Sequence, residues 1–290
     1  MIPEEWKTGG QYYLHQGIHQ IFYKIEGSGP VLVLLHGFPT ASWDWHKIWP
    51  KLIQHYQVIA LDFIGFGFSD KPFRYAYSIF DQTDIVENLL VSLNIENYHV
   101  LAHDYGDTVA QELLARGLEK RSHVGPKLLS LCFLNGGIFS DAHQPRPIQK
   151  ALISPFGILL TPILSQRTLA KNFKAIFGPQ TQATAKEIEH FFALIKRRRG
   201  KYIFHKLIRY MRERQEHKIR WEEALSLTKI PLRLIDGAFD PISGAHLAKR
   251  YQKEVPDADV VLLEQIGHYP QTEAPEEVLK HFFSFGKRYH

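Results

Sequence analysis

Sulfur is scarce in this chain: 290 residues include one cysteine and two methionines. A single cysteine excludes an internal disulfide. Cys132 lies inside the apolar run LLSLCFLNG and reads as a buried structural thiol, so nothing argues for an oxidising compartment. Long apolar runs are also missing. The longest, such as VLVLLHGF, are too short and too close to glycine or proline to span a bilayer. The opening MIPEEWKTGGQYYLH has no basic stretch leading into an apolar one, so no secretory signal is expected and the cytoplasm is the expected location. Zinc-finger spacing, a nucleotide-binding glycine loop and an RNA-recognition pattern are all absent, and nucleic acid is not an expected partner. No metal site is expected either. His15 and His19 are four apart but straddle Gly17 in what reads as a hairpin, a poor geometry for a shared ion.

What is present is an ordinary soluble composition, 44% hydrophobic and 22% charged, in a chain long enough for one large α/β core. The net charge is +5, with basic residues concentrated in IKRRRGKYIFHKLIRYMRERQEHKIRW, Ile195 to Trp221. Glu213 and Glu216 interrupt that run, which reads as long helices with a solvated face.

Periodicity sets the order of elements. YYLHQGIHQIFYKIEG alternates around a glycine and reads as a hairpin, while VLVLLHG and QVIALDF are continuous apolar runs, as in strands covered on both faces. A helix follows Ser78, a fitting N-cap. A strand over Tyr98 to His103 then turns through a small-residue corner into a helix expected from about Asp107 to Leu118, and LLSLCFLNGG is another buried strand. From 138 to 228 strand patterns disappear, and after that strand and helix alternate to the end. The expected fold is a mostly parallel central sheet flanked by helices. Residues 1–137 and 229–290 form its core, and 138–228 form an inserted helical lid at the carboxyl edge of the sheet, where open α/β sheets bind ligands.

Strand ends there carry HGFP (36–39), AHDYGD (102–107), GAFDP (237–241) and IGHYP (266–270). In chain order they offer oxyanion donors, a nucleophile, an acid and a base, the order used by α/β-hydrolases, with Asp104 where serine is usual. Together with DFIGFGFSDKP, these segments resemble the aspartate-nucleophile branch of the α/β-hydrolase fold, which includes epoxide hydrolases and haloalkane dehalogenases.

The resemblance implies a catalytic triad of Asp104, Asp240 and His268, with oxyanion donors from the amides of Phe38 and Tyr105. A carboxylate is already ionised at neutral pH, so Asp104 could attack an sp³ carbon unaided, and His268 would activate the water that hydrolyses the ester. Asp104 could instead be a helix N-cap, a role for which Asp107 competes. His36 reads as structural and Asp62 as a loop brace. Asn135, at the end of another strand, cannot serve as an acid.

Among leaving groups, an epoxide oxygen needs a proton donor. The stretch LIRYMRERQEHKIRW resembles the tyrosine-bearing lid helix of epoxide hydrolases and puts Tyr210 in that role. A second lid tyrosine is not evident, Tyr202 being the one substitute. A halide needs N–H donors, yet Tyr105 and Phe38 stand where a dehalogenase would have them, and Trp221 is the only lid tryptophan. Epoxide hydrolysis therefore ranks first, dehalogenation second, and a non-catalytic binding protein third. An apolar wall from Phe156, Ile158, Leu159, Leu160, Phe173, Phe177, Phe191 and Phe192 is expected, with a small hydrophobic substrate as the partner. No cofactor and a monomer or homodimer complete the expectations; membrane contact is not a leading expectation, and the basic surface of the lid is the one place where it stays open.

Overall fold

In the computed structural model, which describes residues 1–119 and 125–289, the alternating and continuous apolar runs become one eight-stranded sheet. The strands are β1 (Gln11–His15), β2 (His19–Glu26), β3 (Val31–Leu35), β4 (Gln57–Leu61), β5 (Asn97–Ala102), β6 (Lys127–Phe133), β7 (Leu232–Gly237) and β8 (Asp259–Leu263), in the spatial order β1-β2-β4-β3-β5-β6-β7-β8. The β1/β2 hairpin pairs antiparallel and joins β4 antiparallel; every other pairing is parallel. Gln16 and Gly17 both have positive φ at the hairpin turn, which is the conformation glycine tolerates best.

Strand β3 explains why its sequence does not alternate. Val33 and Leu35 enter the core on one face, and Leu32 and Leu34 enter the core on the other. Two core layers thus sandwich the sheet. One contains α1 (Ile79–Ser92) and α2 (Tyr105–Glu119), and the other is packed with Trp43, Trp45, Trp49 and the C-terminal helix. Ser78 caps α1 as its sequence suggests, its hydroxyl accepting from the Asp81 amide.

Two expectations need correction. Helix α2 starts at Tyr105, two residues before the expected Asp107, so Asp107 lies inside the helix and caps nothing. The basic stretch is not made of long helices. After α3 (Pro147–Ile153), α4 (Gln166–Ile176) and α5 (Ala185–Lys196), the chain breaks where Arg198 and Arg199 take left-handed φ of 48° and 62°. Short turns then lead to α6 (Tyr210–Glu216) and α7 (Lys218–Leu227). Helix α7 packs beside α2 in the core layer, with Trp221, Ala224 and Leu225 buried. Only the earlier helices of 138–228 therefore lie over the carboxyl edge. Beyond β7 the two longer helices are α8 (Ala245–Glu254) and α9 (Pro275–Tyr289). Among the described residues, no helix is long and apolar enough to cross a membrane.

Candidate active site

The corner between β5 and α2 has the backbone that a sharp strand-to-helix turn demands. Asp104 has φ of 50°, a strained value for a residue with a side chain. The turn closes because its neighbours are small: a Cβ on Gly106 would lie 2.3 Å from the Leu35 carbonyl oxygen, so no larger residue fits. The Asp104 amide donates to the Asn135 carbonyl at 3.0 Å, and the Gly106 amide donates to the His36 carbonyl at 3.0 Å. The corner is thereby tied to the ends of β6 and β3.

Asp104 is buried, and its side chain does not turn back onto its own helix. Oδ1 accepts from the Phe38 amide at 2.8 Å, and Oδ2 lies 3.7 Å from Nε2 of His268. The N–H of Tyr105, the first helical residue, has no partner within the helix. On its other side, the His268 ring donates from Nδ1 to Oδ2 of Asp240 at 2.7 Å. Asp240 also accepts from the amides of Ile242 and Ser243, the Ser243 hydroxyl and Asn135 Nδ2. Asn135 thus braces the acid rather than replacing it. The structure brings Phe38, Asp104, Tyr105, Asp240 and His268 together from the ends of four strands.

Electrostatics follows from this burial. Desolvation alone would raise Asp240, but the charge and hydrogen bond of His268, with the Ile242 amide and Ser243, hold it at about 2. Desolvation would lower His268, but Asp240 and then Asp104 raise it to about 9. A raised base is stabilised in its protonated form. This contribution to stability is complete below about 6.5 and is lost as pH rises through about 9. A low-field proton resonance from His268 Nδ1 is expected to persist to about pH 9 and to vanish in Asp240→Asn.

The cleft above Asp104 encloses about 780 Å³ including its mouth. Of the eight side chains expected as an apolar wall, Phe173 and Phe192 line it. Phe156, Ile158 and Leu159 point to solvent, Leu160 is half-buried outside the wall, and Phe177 and Phe191 pack into the core around Tyr269. The wall is made instead by Ile148, Leu152, Leu164, Leu169, Ile195 and Phe204, and its polar members include Arg146, Gln149 and Asn172.

Tyr210 is buried against Tyr105 with ring centroids 4.8 Å apart, and its hydroxyl has no hydrogen-bond partner among the described residues. Burial and then the Asp104 charge raise that hydroxyl well above its usual range. Tyr202 is exposed and does not join it. Trp221 donates its indole N–H to Glu112 at 2.8 Å, away from the cleft. His36 donates from Nδ1 to Gly37 and accepts the Phe63 amide at Nε2, and Asp62 accepts the amides of Ser42 and Phe68; both brace loops.

One residue of the site was hidden in the basic run. Arg214 is buried, donates from Nη2 to the Asp104 carbonyl at 3.0 Å and from Nε to Thr108 at 2.7 Å, and lies 4.5 Å over the Tyr210 ring. Gly137 makes room for it, since a Cβ there would be 2.0 Å from Nη1. Arg214 also offsets Asp107, whose carboxyl is raised well above its usual range by burial and then by Asp104. Arg214→Met is expected to lower kcat by about 10-fold to 10²-fold with a smaller change in KM, through displacement of the corner. Steady-state kinetics beside a circular dichroism melt checks this.

This arrangement of sheet, corner and charge-linked histidine defines an α/β-hydrolase, and residues 30–275 match the alpha/beta hydrolase fold family, to which the chain belongs. More specifically, it is 41% identical to the mesoderm-specific transcript protein of Mus musculus, over 97% of this chain and 86% of that one. Among solved structures it is similar to the haloalkane dehalogenase DbeA from Bradyrhizobium elkani (TM-score 0.79, 21% identity, 96% of this chain and 99% of that one). It is also similar to the epoxide hydrolase CorEH (TM-score 0.76, 20% identity, 95% and 97%). At those identities the two structures speak to the fold.

Proposed function

We propose that the protein hydrolyses hydrophobic epoxides through an ester on Asp104. The observation that carries this reading is the aim of the Asp104 carboxylate, with one oxygen on the Phe38 amide and the other toward His268. Oδ2 attacks an epoxide carbon and the ring C–O bond opens. The alkoxide takes the proton of the Tyr210 hydroxyl. Loss of the Asp104 charge removes one of the influences that raise His268, so the imidazolium gives up its proton, which restores the Tyr210 hydroxyl through solvent, and the neutral ring can then accept a proton from water. The resulting hydroxide adds to the ester carbonyl, whose oxygen stays on the Phe38 amide, and the Tyr105 amide is the second donor to the developing charge. Collapse breaks the bond to the alkyl oxygen, which takes the second proton of that water and leaves as the diol, and Asp104 returns to a carboxylate holding an oxygen from water.

Two details favour an epoxide over a halide. Tyr210 has a free hydroxyl beside the corner, and the single tryptophan of the 138–228 stretch is already committed to Glu112. Arg146 on the wall favours substrates with an anionic or acceptor end. Fatty-acid epoxides are therefore expected to outperform styrene-type epoxides, and Arg146→Leu to raise KM about 10-fold for the former only.

Repeated turnover in heavy-oxygen water, followed by mass spectrometry of the Asp104 peptide, tests the reading. Label entering the carboxylate supports the ester. Turnover of bromoalkanes alone would assign a dehalogenase, and no label with either class would leave a binding protein.

A further inference from the structure

The inserted stretch is charged unlike the rest of the chain. Residues 142–212 hold fourteen lysines and arginines against two acids, Glu187 and Glu189. That is an excess of twelve positive charges, while the remaining residues, twenty-one basic and twenty-eight acidic, carry an excess of seven negative ones. The modest net charge conceals a strongly polarised molecule.

The same stretch exposes its largest apolar side chains at one turn. Phe156 is 71% exposed, Leu159 69% and Ile163 69%, with Ile158 beside them. Single exposed apolar residues are ordinary; four within eight residues are not. The turn is built to hold them out. The Leu159 amide donates to the Phe156 carbonyl at 2.9 Å, the Thr161 hydroxyl donates to the Ile158 carbonyl at 2.9 Å, and a Cβ on Gly157 would strike the Leu152 carbonyl.

Cations flank it on both sides. Lys201 Nζ donates to the Pro162 carbonyl at 2.8 Å, and Arg212 Nη2 donates to the Ile153 carbonyl at 2.7 Å. Exposed Tyr202 lies 5.2 Å from the Lys201 ammonium, and exposed Phe73 lies under Lys206 at 4.8 Å. Aliphatic tips rimmed by cations and surface aromatics match the boundary of an anionic bilayer, where apolar groups enter the acyl region and cations meet phosphates. A nucleic acid would use the cations and leave the aliphatic tips in water.

We propose that this face docks on an anionic lipid bilayer, with Phe156, Ile158, Leu159 and Ile163 inserted and Lys201 and Arg212 on lipid phosphates. The shortness of the apolar runs argues only against a membrane span, and surface docking requires no such run. Leu152 and Leu164, at either side of the turn, line the cleft, so an apolar substrate would pass from bilayer to cleft along a short apolar path. The docking is independent of the chemistry at Asp104.

Sedimentation of the whole protein with vesicles tests it, using phosphatidylcholine alone and phosphatidylcholine with one part in three phosphatidylserine. Binding to the anionic vesicles is expected to be at least ~10-fold tighter than to the neutral ones and to weaken with added salt. Both Phe156→Ser/Leu159→Ser and Lys201→Gln/Arg212→Gln are expected to lower it ~10-fold, with unchanged thermal melts. Equal binding to both vesicle types, or to neither, overturns the proposal. So does full binding by Phe156→Ser/Leu159→Ser, which would assign the cations to another polyanion such as RNA.

Discussion

His268→Gln is expected to stop the reaction halfway and leave substrate bonded to Asp104. In the proposed sequence the first step needs only an ionised carboxylate, whereas the second needs a base for water. Removing the imidazole should therefore slow ester hydrolysis by about 10³-fold to 10⁴-fold while ring opening continues. Intact-mass spectrometry reads the result directly. An epoxide adds its whole mass because no atom leaves, whereas a haloalkane adds its mass less hydrogen halide. Asp104→Asn is the matching control. Its amide oxygen can still accept from the Phe38 amide, so the corner keeps its shape, but it presents no anion to the substrate. Turnover should fall by about 10⁴-fold or more, with no adduct. An unmodified His268→Gln protein, under conditions where the parent consumes substrate, would place the nucleophile elsewhere.

The fold was legible in this sequence because its strands are buried on both faces and its corners are built of small residues. VLVLL can be little else than a central strand, and HDYGD marks a turn that only small neighbours permit. Asp104, Asp240 and His268 stand out as candidates because each lies in the loop that follows a strand, and strand ends in a parallel sheet converge on one edge, where the three side chains do meet. The inserted stretch was harder to read. Its helical pieces are often a single turn, too short for periodicity to tell an inward face from an outward one, so Phe156 and Leu159 were assigned to a wall they do not form. Arg214 was masked by the basic residues around it. A usable signal existed: Arg214 is four residues after Tyr210, so a helix that turns the tyrosine toward the corner must turn the arginine there as well.

Glu112 carries the largest stability effect we expect outside the reaction itself. It lies on α2, eight residues beyond the corner, with its carboxylate buried. Oε1 accepts from Arg116 Nε at 2.8 Å and Arg220 Nη2 at 3.0 Å, and Oε2 accepts from Arg220 Nε at 2.7 Å and the Trp221 indole at 2.8 Å. Burial would raise this carboxyl, but the bonds from Arg220, Trp221 and Arg116 outweigh it and lower it. Its stabilising effect is therefore present above about 4.5 and is lost as pH falls below that. Arg220 and Trp221 belong to α7, which leads the chain back into the sheet, so one carboxylate ties the start of that helix to α2. Glu112→Ala leaves a buried indole N–H unpaired and removes the carboxylate shared by two guanidinium groups, of which Arg116 keeps Asp84 and Glu87 and Arg220 keeps Glu119. A loss of about 3 to 5 kcal/mol is expected, read as a lower urea midpoint with the slope unchanged. Adding Trp221→Phe removes the stranded donor, so the double variant should lose less than the sum of the two single ones. Strict additivity would mean that apolar packing of Trp221, Ala224 and Leu225 holds α7 by itself, and the carboxylate would then serve only to neutralise two arginines.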